Sequence, residues 1–374
     1  MTGSDNKERD KSEISSSPYF DITPILDDFS SQTQEATRQI HPLFLLPRPK
    51  IAFHGSDADG IVCAAILKAS GVREFQTINS IYIPLNYQQI KHPQYSWYLA
   101  RVNWVAVVDL PPIHDQNEDV LLYCDHHLTN KDLPMVAQLV LFDENAPSAA
   151  KLLADHYNDV LPSYVKTLAE LTKITDTASF NTVPPVDIPS DIPSNSSSQA
   201  WLLHDLCDSV ETPNDIVKLV DALEEQGLNS SLLEDYRGKL KKTRAIREKT
   251  LEIVEELELA DAVLFILGKK KISMTTLVQG LFAKGVKLTC LFYPGKAFTG
   301  LSFRVNSQLS PLEVERIRVD KIARLFSGGG HPRAAGGRST SFPNALKNVK
   351  SWVTQKGLSY SVYDIRDEDN NKEN

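Results

Sequence analysis

The sequence predicts an α/β protein: a first domain built on a mostly parallel sheet, followed by a smaller α/β domain. Three observations predict it. Five short apolar runs, IAFH (51–54), INSIYIPL (78–85), WVAVVDL (104–110), VLLYCDHH (120–127) and QLVLFD (138–143), alternate with helical patterns, as strands and helices do in parallel α/β folds. A second series starts at AVLFILG (262–268) and continues through TTLVQGLFAKG, VKLTCLFYP (286–294) and FTGLSFRVN (298–306). Between the two, residues 229–259 form one long amphipathic pattern containing KLKKTRAIREK, which reads as a connecting helix. A chain of 374 residues also exceeds what one ordinary core holds.

Taken in order, residues 1–45 are rich in Ser, Asp, Glu, Lys and Gln and read as a disordered extension, with one short helix near Pro24–Phe29. A first α/β domain is expected over 46–228, with helices at Gly60–Ser70, Ser148–Tyr157 and Ser163–Thr175. Within it, VPPVDIPSDIPSNSSS (183–198) has too much Pro and Ser for regular structure and reads as an exposed loop. The connecting helix takes 229–260 and the second domain 261–360, closing with VDKIARLF, the turn SGGGHPRAAGG and a helix near 343–356. Residues 361–374 read as a polar tail.

The composition, 41% hydrophobic and 24% charged, is that of a soluble globular protein. No apolar run approaches the roughly 18–20 residues that span a bilayer, and the polar start MTGSDNKERDKSE holds no apolar signal core, so a cytoplasmic protein without membrane partners is expected. Cys63, Cys124, Cys207 and Cys290 are scattered and read as buried free thiols. A net charge of −8 argues against broad coating of duplex nucleic acid but leaves room for a short anionic substrate in a locally basic pocket.

Four places join a carboxylate or histidine to a strand end or turn: His54, Asp57 and Asp59 in HGSDADG; Asp109; Asp125, His126 and His127; and Asp176 in TKITDTASF. Each alone has a bland explanation. An Asp at a strand end commonly caps a helix or forms a turn, and Asp59 could cap the helix that Gly60 opens. Ligands in open α/β sheets bind beyond the carboxyl ends of the strands. If all four segments meet at one such edge, four carboxylates converge, and without cations their repulsion and desolvation are strongly destabilising. Two divalent ions balance four aspartates, and neutral imidazoles add ligands without adding charge. This oxygen and nitrogen set suits Mn²⁺, with Mg²⁺ or Co²⁺ as alternatives. A metal pair suits in-line attack on phosphorus.

In this order HGSDADG, VVDLPP, Asp125-His126-His127, TDTASF, SFRVN and SGGGHPRAAGG resemble the DHH phosphoesterases, in particular the branch with a C-terminal DHHA1 domain that includes RecJ-like and NrnA-like oligoribonuclease members. The resemblance covers about residues 50–340. It implies a cleft between the two domains, one metal held by His54, Asp57 and Asp109, and a second held by Asp59, Asp109, His126 and Asp176. His127 would face the scissile phosphate as a catalytic residue. Asp125 would accompany it, orienting a histidine. In the second domain, Gly328, Gly329 and Gly330 permit close backbone approach and an anion-binding concavity, and Arg304 and His331 would grip a substrate phosphate or nucleotide edge. Arg333 and Arg338 are further basic candidates. The basic run Lys239–Lys249 reads as the exposed face of the connecting helix.

The expected activity is therefore a Mn²⁺-dependent, two-metal phosphoesterase acting on short single-stranded oligonucleotides or small nucleotides: nanoRNA, linear dinucleotides or 3′-phosphoadenosine 5′-phosphate. The alternatives are a RecJ-like single-strand exonuclease, for which the chain lacks room for an extra oligonucleotide-binding domain, an exopolyphosphatase, and an inactive replication-complex scaffold. A homodimer is compatible with this reading, and no protein partner is named by the sequence.

Overall fold

The computed structural model describes residues 48–71, 80–91, 96, 99–100, 102–113, 120–180, 182–268, 271–295 and 297–366. The disorder expected over 1–45 and the short helix near Pro24–Phe29 lie outside the described residues, as does the end of the expected tail, 367–374.

The first lobe runs β1 (Lys50–His54), α1 (Ala58–Ala69), β2 (Ile81–Leu85), α2 (Tyr87–Lys91), β3 (Trp104–Val108), β4 (Leu122–Asp125), a 3₁₀ turn (Leu128–Asn130), β5 (Leu139–Phe142), α3 (Ala149–His156), α4 (Ser163–Asp176), α5 (Ser196–Asp208) and α6 (Pro213–Gln226). Its five strands pair in the order β2-β1-β3-β4-β5, each pair parallel. Every residue of β1 and β3 is buried, which is why these strands read as unbroken apolar runs. Helix α1 is buried continuously from Ala58 to Leu67 and packs against α3, α4 and α6. An apolar surface all round suits a helix enclosed by others. The strand order reverses direction between β1 and β3, and that switch point is where doubly wound sheets bind ligands.

The long helix α7 (Ser230–Glu256) leads to the second lobe: β6 (Ala262–Ile266), α8 (Met274–Ala283), β7 (Leu288–Pro294), β8 (Thr299–Val305), α9 (Pro311–Ile317), α10 (Val319–Arg324), β9 (Gly329–Gly330), β10 (Ala334–Ser339), α11 (Phe342–Gln355) and β11 (Tyr360–Asp364). The sheet order is β11-β6-β7-β8-β10-β9, parallel across β11, β6 and β7 and antiparallel from β7 to β9. One face packs on α9, α10 and α11 around Phe292, Phe303 and Ile322, and the other packs on α7 and α8 around Phe265, Leu277 and Leu281. All four cysteines are buried and free. No described helix is long and apolar enough to cross a membrane.

Three expectations require correction. The tail expected over 361–374 starts too early, because β11 pairs in parallel with β6. Val362 and Tyr363 pack against opposite cores, so this short alternation is a strand despite its charged neighbours. Gly329 and Gly330, expected within a turn, form edge strand β9, the chain bends at Pro332 and Arg333, and β10 follows. Its small residues carry little strand signal.

The basic run on α7 is not wholly exposed either. Arg244 and Arg247 are buried, and both guanidinium groups meet the buried Asp205 carboxylate of α5. Arg247 also donates to the Pro185 carbonyl (2.9 Å) and to Thr276 of α8 (3.1 Å), and lies 4.6 Å over the Trp201 ring. The Pro/Ser segment is therefore tied down at Pro185, while Ile188 and Ile192 pack on the first-lobe core. Its last residues, from Ser196, begin α5. Arg247 thus joins α5, α7, α8 and this segment. Beside it, Gln279 of α8 donates to the Ala178 carbonyl (3.1 Å), and the His204 ring meets the Thr275 hydroxyl (2.9 Å).

Asp205→Ala would leave two buried guanidinium groups without their anion. It is expected to lower the unfolding free energy by about 3–5 kcal/mol, read from the urea midpoint at an unchanged slope. A loss below about 1 kcal/mol would mean that the ion pair carries no net weight in folding.

Candidate metal centre

The candidate site lies at the carboxyl ends of β1, β3 and β4, beside the β1–β3 switch point. His54 ends β1, and Asp57 is the N-cap of α1, its side chain accepting from the Gly60 amide (3.3 Å). Asp57, and not Asp59, is therefore the capping residue. Asp59, in the first turn of α1, instead reaches the N-terminus of α3 and accepts from the amides of Ala149 (2.7 Å) and Ala150 (2.8 Å). Unpaired amides at a helix start are natural carboxylate partners, and they fix the direction of this side chain. Gly60 has a role different from a sharp turn: a Cβ there would lie 2.0 Å from the His54 carbonyl oxygen, so glycine lets α1 lie directly on β1.

Asp109 follows β3 with φ of +55°, the left-handed region that Asp tolerates better than most residues. Its carboxylate is buried. Around it the predicted residues form two triads, His54–Asp57–Asp109 and Asp59–His126–Asp176, linked by a third, Asp109–His126–His127, with ligand atoms in each within 4.8 Å of one another. His54 Nδ1 lies 2.9 Å from Asp57 Oδ2 and 3.4 Å from Asp109 Oδ2. His126 Nε2 lies 3.5 Å from both Asp59 and Asp176 and 4.0 Å from Asp109. Asp109 thus stands between the two groups.

Burial first, and then repulsion from neighbouring carboxylates, pushes Asp59 well above the usual carboxylate range, Asp109 to about 6 and Asp176 to about 8. Burial also raises Asp57, but His54 and the Gly60 amide outweigh it and bring the carboxyl down to about 2. Both carboxylate oxygens of Asp109 and His126 Nε2 are buried without a hydrogen-bond partner. Buried polar atoms are normally paired. Buried donor atoms of mixed oxygen and nitrogen type, grouped in two triads with the Asp109 carboxylate standing between them, fit a pair of divalent cations.

The two adjacent histidines differ in chemistry. The Nδ1 of His126 faces the Ala146 carbonyl (3.1 Å), an arrangement that leaves Nε2 as the ligand atom. Burial and the charge of His127 lower His126 to about 4, so it is a neutral imidazole. Burial opposes charge on His127, but Asp125 and Asp109 outweigh it and raise it to about 9. Asp125 is fully buried and accepts from Tyr123 (3.0 Å), Asn130 (2.6 Å) and the His126 amide (2.8 Å), with His127 Nδ1 also at 2.8 Å. Expected beside His127 as catalytic, Asp125 has the contacts of a positioning residue.

Sequence reasoning missed Tyr87, at the start of α2. Its hydroxyl lies 3.2 and 3.1 Å from the His127 ring nitrogens, and its ring meets His54 edge-on at 4.7 Å. The signal was a lone Tyr after IYIPLN, with nothing in its spacing to mark it. Tyr123 and Asn130 were also missed, although they flank the DHH triplet closely enough to be read as its supports.

From the second lobe, His331 stacks on His126 at 5.9 Å between centroids and lies 6.4 Å from His127. A Cβ at Gly329 would meet Thr129 of the first lobe at 2.7 Å, and one at Gly328 would strike the Gly336 carbonyl at 1.9 Å. Gly330 has φ of +135°, outside the range of ordinary side chains. The Gly328 amide donates to the Ala323 carbonyl (3.0 Å). The anion-binding concavity expected of these glycines thus lacks that donor, and the run works as a packing device that brings β9 against the first lobe. Arg304 donates to the Phe303 carbonyl (3.0 Å), and burial lowers its pKa while the charges of Tyr293 and Asp176 oppose the fall. Arg333 is turned away onto the Asn306 and Leu309 carbonyls.

The chain resembles a pGpG-specific phosphodiesterase from Vibrio cholerae, at 18% identity over 83% of this chain and 99% of that one, with a TM-score of 0.55. It also resembles RecJ from Thermus thermophilus in complex with Mn²⁺ (16%, 85% of this chain and 53% of that one, TM-score 0.52). The fold is that of the DHH family. An exopolyphosphatase-related protein from Bacteroides fragilis also shares it (15%, 87% and 96%, TM-score 0.50). No family model and no curated protein matches the sequence. In this fold the ends of β1, β3 and β4, the start of α1 and the end of α4 bring the candidate ligands together, and His331, after β9, stacks on His126.

Asp109→Asn is expected to raise the melting temperature of the metal-free protein by removing a buried like charge, while abolishing the stabilisation that Mn²⁺ gives the wild type. Differential scanning calorimetry with and without Mn²⁺ reads both effects. An unchanged Mn²⁺ response would remove Asp109 from the site.

Proposed function

We propose that this protein is a two-metal, Mn²⁺-dependent phosphoesterase that hydrolyses short oligonucleotides or small nucleotides. The observation that carries the reading is the pair of carboxylate–histidine triads, His54–Asp57–Asp109 and Asp59–His126–Asp176, joined by a third group, Asp109–His126–His127, with buried and unpaired ligand atoms. His54, Asp57 and Asp109 would hold one cation, and Asp59, Asp109, His126 and Asp176 the other. When bound, the two cations supply Lewis-acid stabilisation of charge on the phosphoryl oxygens and activate the attacking water.

The chain's own residues do the rest. Asp125 and Tyr87 fix the His127 ring, so this imidazole can donate to a phosphoryl or leaving-group oxygen without searching rotamers. His331, stacked on His126, covers the site from the second lobe and excludes water. Arg304 supplies positive charge on the second-lobe side.

Fold likeness to a pGpG-specific phosphodiesterase and to a Mn²⁺ complex of RecJ supports phosphodiester chemistry. Likeness to an exopolyphosphatase-related protein keeps polyphosphate as a second substrate class. An inactive scaffold accords poorly with a complete set of candidate ligands.

Purified protein with Mn²⁺ should be offered RNA dinucleotides, longer single strands, cyclic dinucleotides, 3′-phosphoadenosine 5′-phosphate and polyphosphate. Dinucleotide cleavage is expected, with activity lost in Asp109→Ala; activity that survives this substitution would end the two-metal reading. Arg304→Ala is expected to raise KM or lower kcat roughly ten-fold or more while Mn²⁺ content stays unchanged. Unaltered kinetics would remove Arg304 from substrate binding.

A further inference from the structure

We propose that the second sheet carries a nucleobase-binding slot walled by Tyr293 and Arg338 across Gly300. The register of three antiparallel strands places these residues in one row: Tyr293 of β7 faces Gly300 of β8, which faces Arg338 of β10. The next row is Leu291, Ser302 and Gly336, and the next Thr289, Arg304 and Ala334. Directly opposed residues share a face of the sheet, as do alternate residues along a strand. Tyr293, Gly300, Arg338, Ser302 and Arg304 therefore lie on one face. The opposite face carries Phe292, Leu301, Phe303 and Ala335 into the core.

Neighbouring strands are about 4.8 Å apart, so the Tyr293 and Arg338 backbones stand about 10 Å from each other across a residue with no side chain. A planar base between two stacking partners needs about 7 Å, at about 3.5 Å on each side. The three atoms nearest a Cβ built at Gly300 are Cβ, Cδ2 and Cγ of Tyr293, at 3.5–3.8 Å, so this ring forms one wall. Tyr293 is 39% exposed, so its ring is open to a ligand. Arg338 is exposed, and among the described residues its guanidinium has neither a hydrogen bond nor an ion pair. Aromatic rings and arginine planes are the usual platforms for unpaired bases.

Position gives the slot its role, which rests on the phosphoesterase reading. Gly300 lies four residues from Arg304, about 13 Å along β8. Burial raises the Tyr293 phenol pKa and the charge of Arg304 opposes the rise, so the two side chains share one electrostatic environment. A substrate with its phosphate near Arg304 reaches the slot through a sugar carrying a base. An inorganic phosphate chain has nothing planar to place there. The slot therefore selects nucleotides over polyphosphate.

The test is equilibrium binding by the full chain in Mn²⁺ of two probes: a phosphorothioate-linked dinucleotide, which resists cleavage, and tripolyphosphate. Tyr293→Ala is expected to weaken dinucleotide binding roughly ten-fold or more. Tyr293→Phe should keep it, and Gly300→Val should lose it by filling the slot. Tripolyphosphate affinity and Mn²⁺ binding should not change, and these together with circular dichroism report folding. Dinucleotide affinity unchanged in Tyr293→Ala, or an equal loss for both probes, overturns the slot. If the wild type hydrolyses polyphosphate but neither binds nor cleaves nucleotides, the slot falls and the phosphoesterase reading stands. If it binds the dinucleotide through Tyr293 yet cleaves no phosphoester, the slot stands and that reading falls.

Discussion

Five aspartates and three histidines held at one end of a parallel sheet form the constraint around which the first lobe is organised. At an effective dielectric of 20, two like charges about 4 Å apart repel by on the order of 4 kcal/mol, and several such pairs meet around Asp109. Such a cluster persists only where the scaffold fixes each group and opposite charge is supplied. The scaffold is visible at every position. Asp59 is held by the start of α3, His126 by the Ala146 carbonyl, and Asp125 by Tyr123 and Asn130. Asp109 sits in a left-handed conformation that aims its carboxylate between the triads.

The same scaffold makes two neighbouring, chemically identical residues different. His126 is neutral because it is buried beside a charged ring, whereas His127 is cationic because Asp125 holds it. One is suited to act as a ligand and the other as a donor to substrate. Environment divides the roles, much as paired carboxylates divide acid and base work in hydrolases.

The second lobe meets this cluster through contacts that depend on small side chains. Gly329 allows close approach to Thr129, and His331 then stacks on His126. Behind the site, the Arg244–Arg247–Asp205 ion pairs, Gln279 and Thr275 tie α7 and α8 to the first lobe. Gln279 bonds the Ala178 carbonyl two residues after Asp176, so the docking of the second lobe bears on the segment that supplies a candidate ligand.

The sequence by itself determined the α/β class, the two sheets and the identities of the clustered residues. Buried parallel strands write themselves as apolar runs, and HGSDADG, Asp109, the DHH triplet and Asp176 lie at or near the ends of strands and of α4. Tertiary structure alone decided what each residue does. Asp57 caps α1 while Asp59 crosses to α3, Tyr87 joins His127 from 40 positions away, and two arginines in a run that looked solvated are buried on Asp205. β10 was hidden because its small residues give little strand signal, and β11 because its short alternation runs into charged residues; pairing partners far along the chain define both. The physical reason is common to these cases. Local pattern fixes which face of an element is apolar, but hydrogen bonds and charge pairs between distant segments are set only when the lobes pack.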